Sequence, residues 1–152
     1  MRVFRISKPA YVGTALSGQG SSMSPGRWNS RGVRLAYTAG SSALAMLELL
    51  VHLDKEDVPN GLRLLSYDVP DDAILELDPR PAGWDRLPYS AAVRAAGDAW
   101  IASAVSLALR VPSAIARHEF NVLINPAHLG FLKLRRLDDE DLALDARLFQ
   151  SS

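Results

Sequence analysis

The sequence predicts an α+β fold, and three observations on its pattern support that class. Segments rich in β-branched and aromatic residues are short and recur along the chain. Only two stretches have the length and spacing expected of helices. Strands and helices do not alternate strictly, as they would in a doubly wound parallel sheet. A chain of 152 residues fits one domain with a sizeable core, so we expect a single domain over residues 1–152.

The predicted elements follow from local patterns. Strands are predicted at Val3–Ile6, Val33–Thr38, Leu62–Val69, Ala73–Leu77, Val111–Ala116, Asn121–Asn125 and Phe131–Leu137. A helix is predicted over Ala43–Leu53, with Ser41 or Ser42 as its cap, and a longer alanine-rich one over Ser90–Leu109. Ser17–Arg34 is dense in glycine and serine and is predicted to be a long loop, which in a compact domain is often functional.

Composition excludes several classes of function. Seventeen basic and seventeen acidic side chains cancel, so long-range attraction to nucleic acid or to an anionic membrane is not expected. The chain has no cysteine, which excludes disulfides, thiolate catalysis and cysteine-ligated metals. Charges at Arg2, Arg5 and Lys8 interrupt the N-terminal segment, which lacks the apolar core of a signal peptide. No segment is apolar for long enough to span a bilayer, and we expect a cytoplasmic protein.

Glu48 is the most informative single position. It is the only charged residue in the otherwise apolar run Ala43–Val51. At helical spacing it shares a face with Leu44, Leu47 and Val51. The carboxylate is therefore expected to point inward or into a cleft, where it needs partners because burying an unpaired charge is costly. The alternative is a structural ion pair with an arginine, or with His52 one turn further on.

Two arginines stand in unusual surroundings. Gly26-Arg27-Trp28-Asn29 lies in the glycine- and serine-rich loop, where an arginine can offer a fork of donors to a phosphate and a tryptophan can stack on a ring. A turn with a solvated arginine is the alternative. Arg5 lies between apolar Phe4 and Ile6 in the first strand, where a charge on a buried face would need a partner. Its alternative is a guanidinium in water at a strand edge.

Other motif searches return no site. Gly18-Gln19-Gly20 lacks the third glycine of a dinucleotide-binding turn. His52, His118 and His128 do not have the spacing of metal ligands, so we expect no metal site. No segment matches a helix-turn-helix, so direct binding to nucleic acid is not expected. The charge run Arg135–Asp141 is typical of a solvated segment, although a charged edge also suits a partner interface.

The order of several short strings resembles the RES domain, the toxin half of bacterial RES–Xre toxin–antitoxin pairs. The strings span nearly the whole chain: Phe4-Arg5-Ile6, Gly26-Arg27-Trp28-Asn29, Leu35-Ala36-Tyr37, Ala43-Leu44-Ala45-Met46-Leu47-Glu48, Gly97-Asp98-Ala99-Trp100, Val111-Pro112-Ser113-Ala114, Glu119-Phe120-Asn121-Val122-Leu123-Ile124-Asn125-Pro126 and His128. The resemblance implies an ADP-ribosyltransferase-like fold, with small antiparallel or mixed sheets around an NAD⁺ cleft and flanking helices. It also implies degradation of NAD⁺ by hydrolysis or phosphorolysis, with NAD⁺ as substrate and no separate cofactor.

The same resemblance implies roles for particular residues. It places Arg5, Arg27, Tyr37, Glu48 and Ser113 in the cleft, with Asn121 as a further contact. Glu48 would stabilise the cationic ribose as its bond to nicotinamide breaks. The two arginines would hold the pyrophosphate or the ribose, the tyrosine ring would stack on nicotinamide, and the serine would bind substrate or position the acceptor. Taken on residue type alone, a tyrosine at a strand end is more often a core aromatic, and a serine after proline usually bonds its own backbone.

Two other functions remain open at this point. One is transfer of ADP-ribose to a particular protein, which some members of the family carry out. The other is a non-catalytic interaction module, which predicts loss of the charged cleft residues, whereas Arg5, Arg27 and Glu48 are all present. The resemblance further implies an Xre-family helix-turn-helix antitoxin as partner, and the high apolar fraction is compatible with a homo-oligomer.

Overall fold

A computed structural model describes residues 1–54 and 58–149 of the chain. Its strands are β1 (Arg2–Ser7), β2 (Ala36–Ala39), β3 (Arg63–Asp68), β4 (Ile74–Glu76), β5 (Ala108–Pro112), β6 (Phe120–Ile124) and β7 (Arg135–Asp141). Its α-helices are α1 (Gln19–Met23), α2 (Ser42–Leu50) and α3 (Ala91–Ser103), and short 3₁₀ turns lie at Pro9–Thr14, Asp71–Ala73, Leu129–Lys133 and Ala146–Phe149. Seven strands with a few helices confirm the predicted α+β class.

The seven strands form one mixed sheet in the order β4-β5-β6-β2-β1-β3-β7. The β4–β5 pair is parallel and the other pairs are antiparallel. Strands β1 and β2 share a single ladder pair, Phe4 with Ala39, whereas β1 and β3 pair along their whole length. The sheet therefore consists of two strand groups that meet at one pair, which agrees with the small sheets that the resemblance implies.

The two faces of the sheet carry different cores. Because successive strand residues point to opposite faces, Phe4 and Ile6 lie on one face, and they pack against Leu44 of α2. Trp100 of α3 packs against Leu123 on that same face, which we call the helix face. The opposite face carries a second core of aliphatic residues and one tyrosine: Val3, Ala36, Leu65, Tyr67, Ala108, Val122 and Ile124. The helix face is the side on which α2 presents its polar residue.

Both longer helices begin at serine caps. The Ser41 side chain accepts a hydrogen bond from the Leu44 backbone amide, which confirms a predicted cap of α2, and Ser90 caps α3 in the same way. The predicted end of the second helix at Leu109 is wrong. It ends at Ser103, and β5 begins at Ala108, before the predicted start of that strand. The apolar run fits a helix or a strand equally well, and pairing with β4 and β6 decides in favour of the strand.

Two further predictions need correction. The loop predicted over Ser17–Arg34 contains the short helix α1. The strand predicted at Phe131–Leu137 starts later, at Arg135, and the charge run forms an edge strand whose side chains are mostly exposed, as expected of a solvated segment. Neighbouring arginines neutralise its carboxylates, Arg2 contacting Asp138 and Arg63 contacting Asp139 and Asp141. Within the described residues, no helix is both long and apolar enough to cross a membrane.

Candidate active site

A carboxylate held by neutral donors lies at the centre of the site. Glu48 is in the last turn of α2, and its Oε1 accepts a hydrogen bond from Asn121 Nδ2 at 2.6 Å and another from Ser113 Oγ at 3.2 Å. The side chain is half-buried. Among residues 1–54 and 58–149, no arginine, lysine or histidine forms an ion pair with it. The structural ion pair considered as an alternative is therefore absent from that part of the chain.

Strands β5 and β6 place the two donors. Asn121 is paired with Ala39 of β2, so its side chain lies on the helix face beneath α2. Ser113 follows β5 and is fully buried. Its amide donates to the Glu119 carbonyl at 3.1 Å, and its hydroxyl accepts from the amides of Ile115 and Ala116 at 3.2 Å each. The serine thus bonds its own backbone, as residue type suggested, and still directs its hydroxyl proton at the carboxylate.

Tyr37 lies on the same face as Asn121, two ladder pairs along β2. It is paired with Leu123, which follows Asn121 by two residues on β6. The tyrosine hydroxyl donates to Asn29 Oδ1 at 2.7 Å and accepts from the Trp28 amide at 3.1 Å. Burial raises the pKa of Tyr37 well above its usual value, so the hydroxyl stays protonated at neutral pH. The side chain joins β2 to the loop that carries Arg27.

Arg27 is held by the segment between β4 and α3. Its Nη1 donates to the carbonyl oxygens of Trp84 at 2.7 Å and Arg86 at 3.0 Å. Its Cζ lies 4.7 Å from the centroid of the Tyr89 ring, which is a cation–π distance. The guanidinium is half-buried, and no carboxylate within the described residues forms an ion pair with it. Its position is fixed while its charge is left without a counterion there.

The structure does not bring Arg5 together with Glu48. Phe4 and Ile6 face α2, so alternation along β1 directs Arg5 to the opposite face of the sheet. Its Nη1 donates to the Tyr37 carbonyl at 2.6 Å, and its buried Nε has no partner among the described residues. Burial lowers the pKa of the guanidinium. We expected this arginine in the cleft; its guanidinium bonds the backbone of β2 and not the Glu48 carboxylate, and a contact with substrate stays a prediction.

Sequence reasoning missed three residues that shape this region. Asn29 is fully buried and bonds the Tyr37 hydroxyl, and Tyr89 supports the Arg27 guanidinium. Asp98 of α3 accepts from the Ser30 amide at 2.9 Å and from its hydroxyl at 2.5 Å. Asn29 and Asp98 both stand inside the strings that carried the resemblance, but the string alone does not indicate that they bond to partners elsewhere in the chain.

The arrangement suits stabilisation of a cation rather than metal chemistry. Within the described residues, no group of three or more histidine, aspartate or glutamate side chains could hold a metal ion. One half-buried carboxylate, fixed by an amide and a hydroxyl, presents negative charge on the helix face. The Arg27 guanidinium and the half-buried Tyr37 ring lie further along the same region. Carboxylates of this kind stabilise cationic transition states, and guanidinium groups bind phosphate.

Comparison with known proteins identifies the family. The fold and the site define an α+β domain with a carboxylate, an arginine and a tyrosine gathered on one side of a split mixed sheet. The model of the RES domain matches residues 2–145 of the chain. This chain therefore belongs to the RES domain family.

Relatives and a solved structure agree with that assignment. Toxin Res of Photorhabdus laumondii is 34% identical over 154 residues, which cover 99% of each chain. The Prs ADP-ribosylating toxin of Sphingobium sp. is 39% identical over 132 residues, 82% of each chain. The fold is similar to that in the M. tuberculosis MbcT–MbcA toxin–antitoxin complex, with a TM-score of 0.74 at 19% identity, covering 97% of this chain and 86% of that chain.

Proposed function

We propose that this chain is the toxin of a toxin–antitoxin pair and that it destroys NAD⁺ by breaking the bond between nicotinamide and ribose. The observation that carries the proposal is the Glu48 carboxylate, which neutral donors hold in place and which has no cationic partner among the described residues. The relatives named as toxins support the first part. The relative named as an ADP-ribosylating toxin supports chemistry at the same bond of the same substrate class.

The chemistry requires stabilisation of a cationic sugar. The C1′–N bond breaks with its electron pair going to nicotinamide, which leaves as a neutral molecule and needs no strong acid. Positive charge develops on the ribose, as in glycoside hydrolysis. A carboxylate fixed beside that carbon stabilises the charge without having to reorganise. Glu48 takes this role, and Asn121 and Ser113 keep its oxygen aimed.

The acceptor completes the reaction in one of two ways. Water adds to the sugar and loses a proton to solvent, which gives ADP-ribose. Inorganic phosphate adds through an oxygen instead, which gives the ADP-ribose phosphate ester. The Ser113 hydroxyl is fully buried and already donates to Glu48, so it would position either acceptor only by holding the carboxylate in place.

Arg27 and Tyr37 would hold the rest of the substrate. The guanidinium of Arg27 keeps donors beyond the Nη1 group that contacts the loop carbonyls, and these suit the pyrophosphate. The Tyr37 ring offers a flat surface for nicotinamide. Its hydroxyl is bonded to protein groups, which fix the position of the ring. Arg5 supports β2 from behind through the Tyr37 carbonyl and so positions the strand.

A second candidate is transfer of ADP-ribose to a protein. The similarity to the Prs ADP-ribosylating toxin favours it, since the two chains share 39% identity over 82% of their lengths. The first bond broken is the same in both reactions, and the acceptor is then a side chain of another protein. The site residues keep the same roles in either reaction, so the acceptor alone separates them.

The proposal extends to partner and compartment. An Xre-family antitoxin with a helix-turn-helix would cover the cleft and supply any contact to DNA, so that this chain does not bind nucleic acid itself. Cellular NAD⁺ is the substrate, which places the toxin in the cytoplasm. The similarity in fold to a chain of a toxin–antitoxin complex supports a protein partner.

The test is to incubate the purified chain with NAD⁺ alone, with and without inorganic phosphate, and to separate the products by chromatography. We expect free nicotinamide in the absence of any added protein. ADP-ribose indicates hydrolysis, and a phosphorylated ADP-ribose that forms only with phosphate indicates phosphorolysis. A folded chain that releases no nicotinamide, but labels a protein from a cell extract when NAD⁺ carries a tag on its adenosine, would establish the second candidate instead.

A further inference from the structure

We propose that Asn29 is a positioning residue of the NAD⁺ site, which locks the Tyr37 ring and the turn that presents Arg27 into one unit. This inference rests on the proposed function and deepens it. It assigns a role to Asn29, which has no role in the reaction proposed above, and it specifies that Tyr37 acts through its ring.

The Asn29 amide uses both of its ends. The side chain is fully buried, and its Oδ1 accepts from the Tyr37 hydroxyl at 2.7 Å and from the Gly26 amide at 3.0 Å. Its Nδ2 donates to three backbone carbonyl oxygens, those of Ser21, Ser30 and Val33, at 2.7, 3.2 and 3.4 Å. The neutral amide is needed here, because an aspartate would turn a second acceptor towards three carbonyl oxygens. One side chain thus ties β2 to the loop.

The hydroxyl of Tyr37 is fully committed by these bonds. It donates its proton to Asn29 and accepts from the Trp28 amide at 3.1 Å. A hydroxyl has one proton to donate, so it cannot give that proton to a substrate without breaking the bond to Asn29. Tyr37 therefore acts through its ring, and the two hydrogen bonds fix where the ring lies.

The turn before Arg27 packs directly on this hydroxyl. A β-carbon at Gly26 would lie 2.5 Å from Tyr37 Oη and 3.0 Å from Asn29 Oδ1, so only glycine fits. The far end of the same turn is anchored to α3, where Asp98 accepts two hydrogen bonds from Ser30. The backbone that carries Arg27 is therefore fixed on both sides, and a change at Asn29 would release the ring and the arginine together.

The first experiment is a double-mutant cycle on NAD⁺ cleavage. Because the ring and the arginine bind the substrate rather than the reacting carbon, Asn29→Ala should raise KM about tenfold and change kcat less. If Asn29 acts through the hydroxyl, Tyr37→Phe should add little to the loss caused by Asn29→Ala, and the two changes should not be additive. Additive losses, or a Tyr37→Phe variant that removes a limb of the pH profile, would overturn the proposal.

A second set of variants covers the case in which Asn29→Ala does not fold. Gly26→Ala should lower kcat/KM at least tenfold, because its methyl group displaces the hydroxyl. Adding Tyr37→Phe removes the oxygen at 2.5 Å and should restore part of the lost activity, because contacts at 3.0 Å to the ring carbon Cζ and to Asn29 Oδ1 remain. Gly20→Ala in α1 is the matched control, since nothing lies within 4 Å of a β-carbon there. Failure of Tyr37→Phe to rescue Gly26→Ala would contradict the locked arrangement.

A measurement without substrate separates this inference from the proposed function. In a ¹³Cζ-tyrosine NMR titration of the wild-type chain, Tyr37 should stay protonated to a higher pH than a tyrosine in water, because burial raises the pKa of its hydroxyl. Titration of Tyr37 at the pH of a tyrosine in water would show that its hydroxyl is not enclosed by the Asn29 turn and would refute the locked arrangement, whether or not NAD⁺ is cleaved. If Tyr37 stays protonated but the chain releases no nicotinamide, the coupling stands and the NAD⁺ assignment falls.

Discussion

Charged side chains at the β7 edge and on the helix face have different kinds of partner. At the edge, acids are paired with bases: Asp138 contacts Arg2, and Asp139 and Asp141 contact Arg63. On the helix face, Glu48 is held by an amide and a hydroxyl, and Arg27 by two backbone carbonyls, Trp84 and Arg86. Both regions are hydrogen-bonded, but only at the edge do these charged side chains form ion pairs with one another.

The difference indicates where the chain can act on a charged molecule. Surface charges of opposite sign that form a pair neutralise each other, and such pairs add little to the free energy of unfolding in water. A charge fixed by neutral dipoles keeps its field directed outward and is already oriented before a ligand arrives. The helix face therefore suits a substrate such as NAD⁺, which carries a cationic ring at one end and a pyrophosphate in the middle. Five variants sharpen this contrast, in order of expected effect.

Removal of the negative charge should have the largest effect. Glu48→Gln retains the shape and one acceptor oxygen but loses the charge that stabilises the sugar cation, so kcat should fall by about 100-fold or more. Glu140→Gln on β7 is the matched control and should leave kcat unchanged, because that side chain is exposed at the far edge. Steady-state release of nicotinamide measures both. Equal rates for the two variants would end the assignment of Glu48.

Loss of the shorter hydrogen bond to the carboxylate should come next. Asn121→Ala removes the 2.6 Å contact and leaves Glu48 with Ser113 alone. A hydrogen bond to a charged group contributes about 1.5 to 3 kcal/mol, so kcat should fall by roughly 10- to 100-fold. The Tm should fall only slightly, since the amide is half-buried rather than part of the core. A variant with normal kcat and a lowered Tm would show a purely structural role.

Replacement of the arginine should affect binding more than turnover. Arg27→Lys keeps the positive charge but loses the planar fork that contacts both Trp84 and Arg86 while donating to substrate. KM for NAD⁺ should rise about tenfold, with a smaller change in kcat, because binding of pyrophosphate does not change as the glycosidic bond breaks. An unchanged KM would mean that this guanidinium does not contact NAD⁺.

The paired region should respond in stability alone. Arg63→Met removes the contacts to Asp139 and Asp141 on the edge strand. The Tm should fall slightly at low salt, and the difference from wild type should shrink at high salt because those charges are screened. The kinetic constants for NAD⁺ should not change. A kinetic effect here would contradict the separation of the two regions.

The smallest effect concerns pH. The Arg135 guanidinium lies 2.6 Å from Asp68 and lowers the pKa of that carboxyl. Its contribution to stability is therefore present at neutral pH and is lost as the pH falls below about 4, through the pKa of the folded state. Asp68→Asn should lower the Tm slightly at pH 7 and not at pH 2. A deficit that persists in acid would assign the loss to packing instead.

Local pattern predicted most of the elements that position the site. The apolar run with one acidic residue predicted helix α2, and the serine before it predicted the cap. Strands β1, β3, β4 and β6 lie within about one residue of their predicted bounds. The sequence pattern did not predict where α3 ends and β5 begins, because the apolar residues there suit either a helix or a strand. There, the ladder to β4 and β6 determines the outcome, and that information is not local.

The candidate site was predictable in part. The resemblance named Glu48, Ser113 and Asn121, and the structure joins these three by hydrogen bonds. It also named Arg5, which lies on the other face, since the direction of its side chain depends on which side of β1 is covered by α2. Asn29 escaped notice because its partner Tyr37 lies beyond a turn, on a strand whose pairing the sequence does not reveal.

The most direct test is a crystal structure of the Glu48→Gln variant with NAD⁺ bound, because the slow variant should retain the intact substrate. The account predicts the ribose on the helix face, with its C1′ about 3.5 Å from the side chain at position 48 and the pyrophosphate against Arg27. A dinucleotide lying on the opposite face against Arg5, with its ribose remote from position 48, would contradict it.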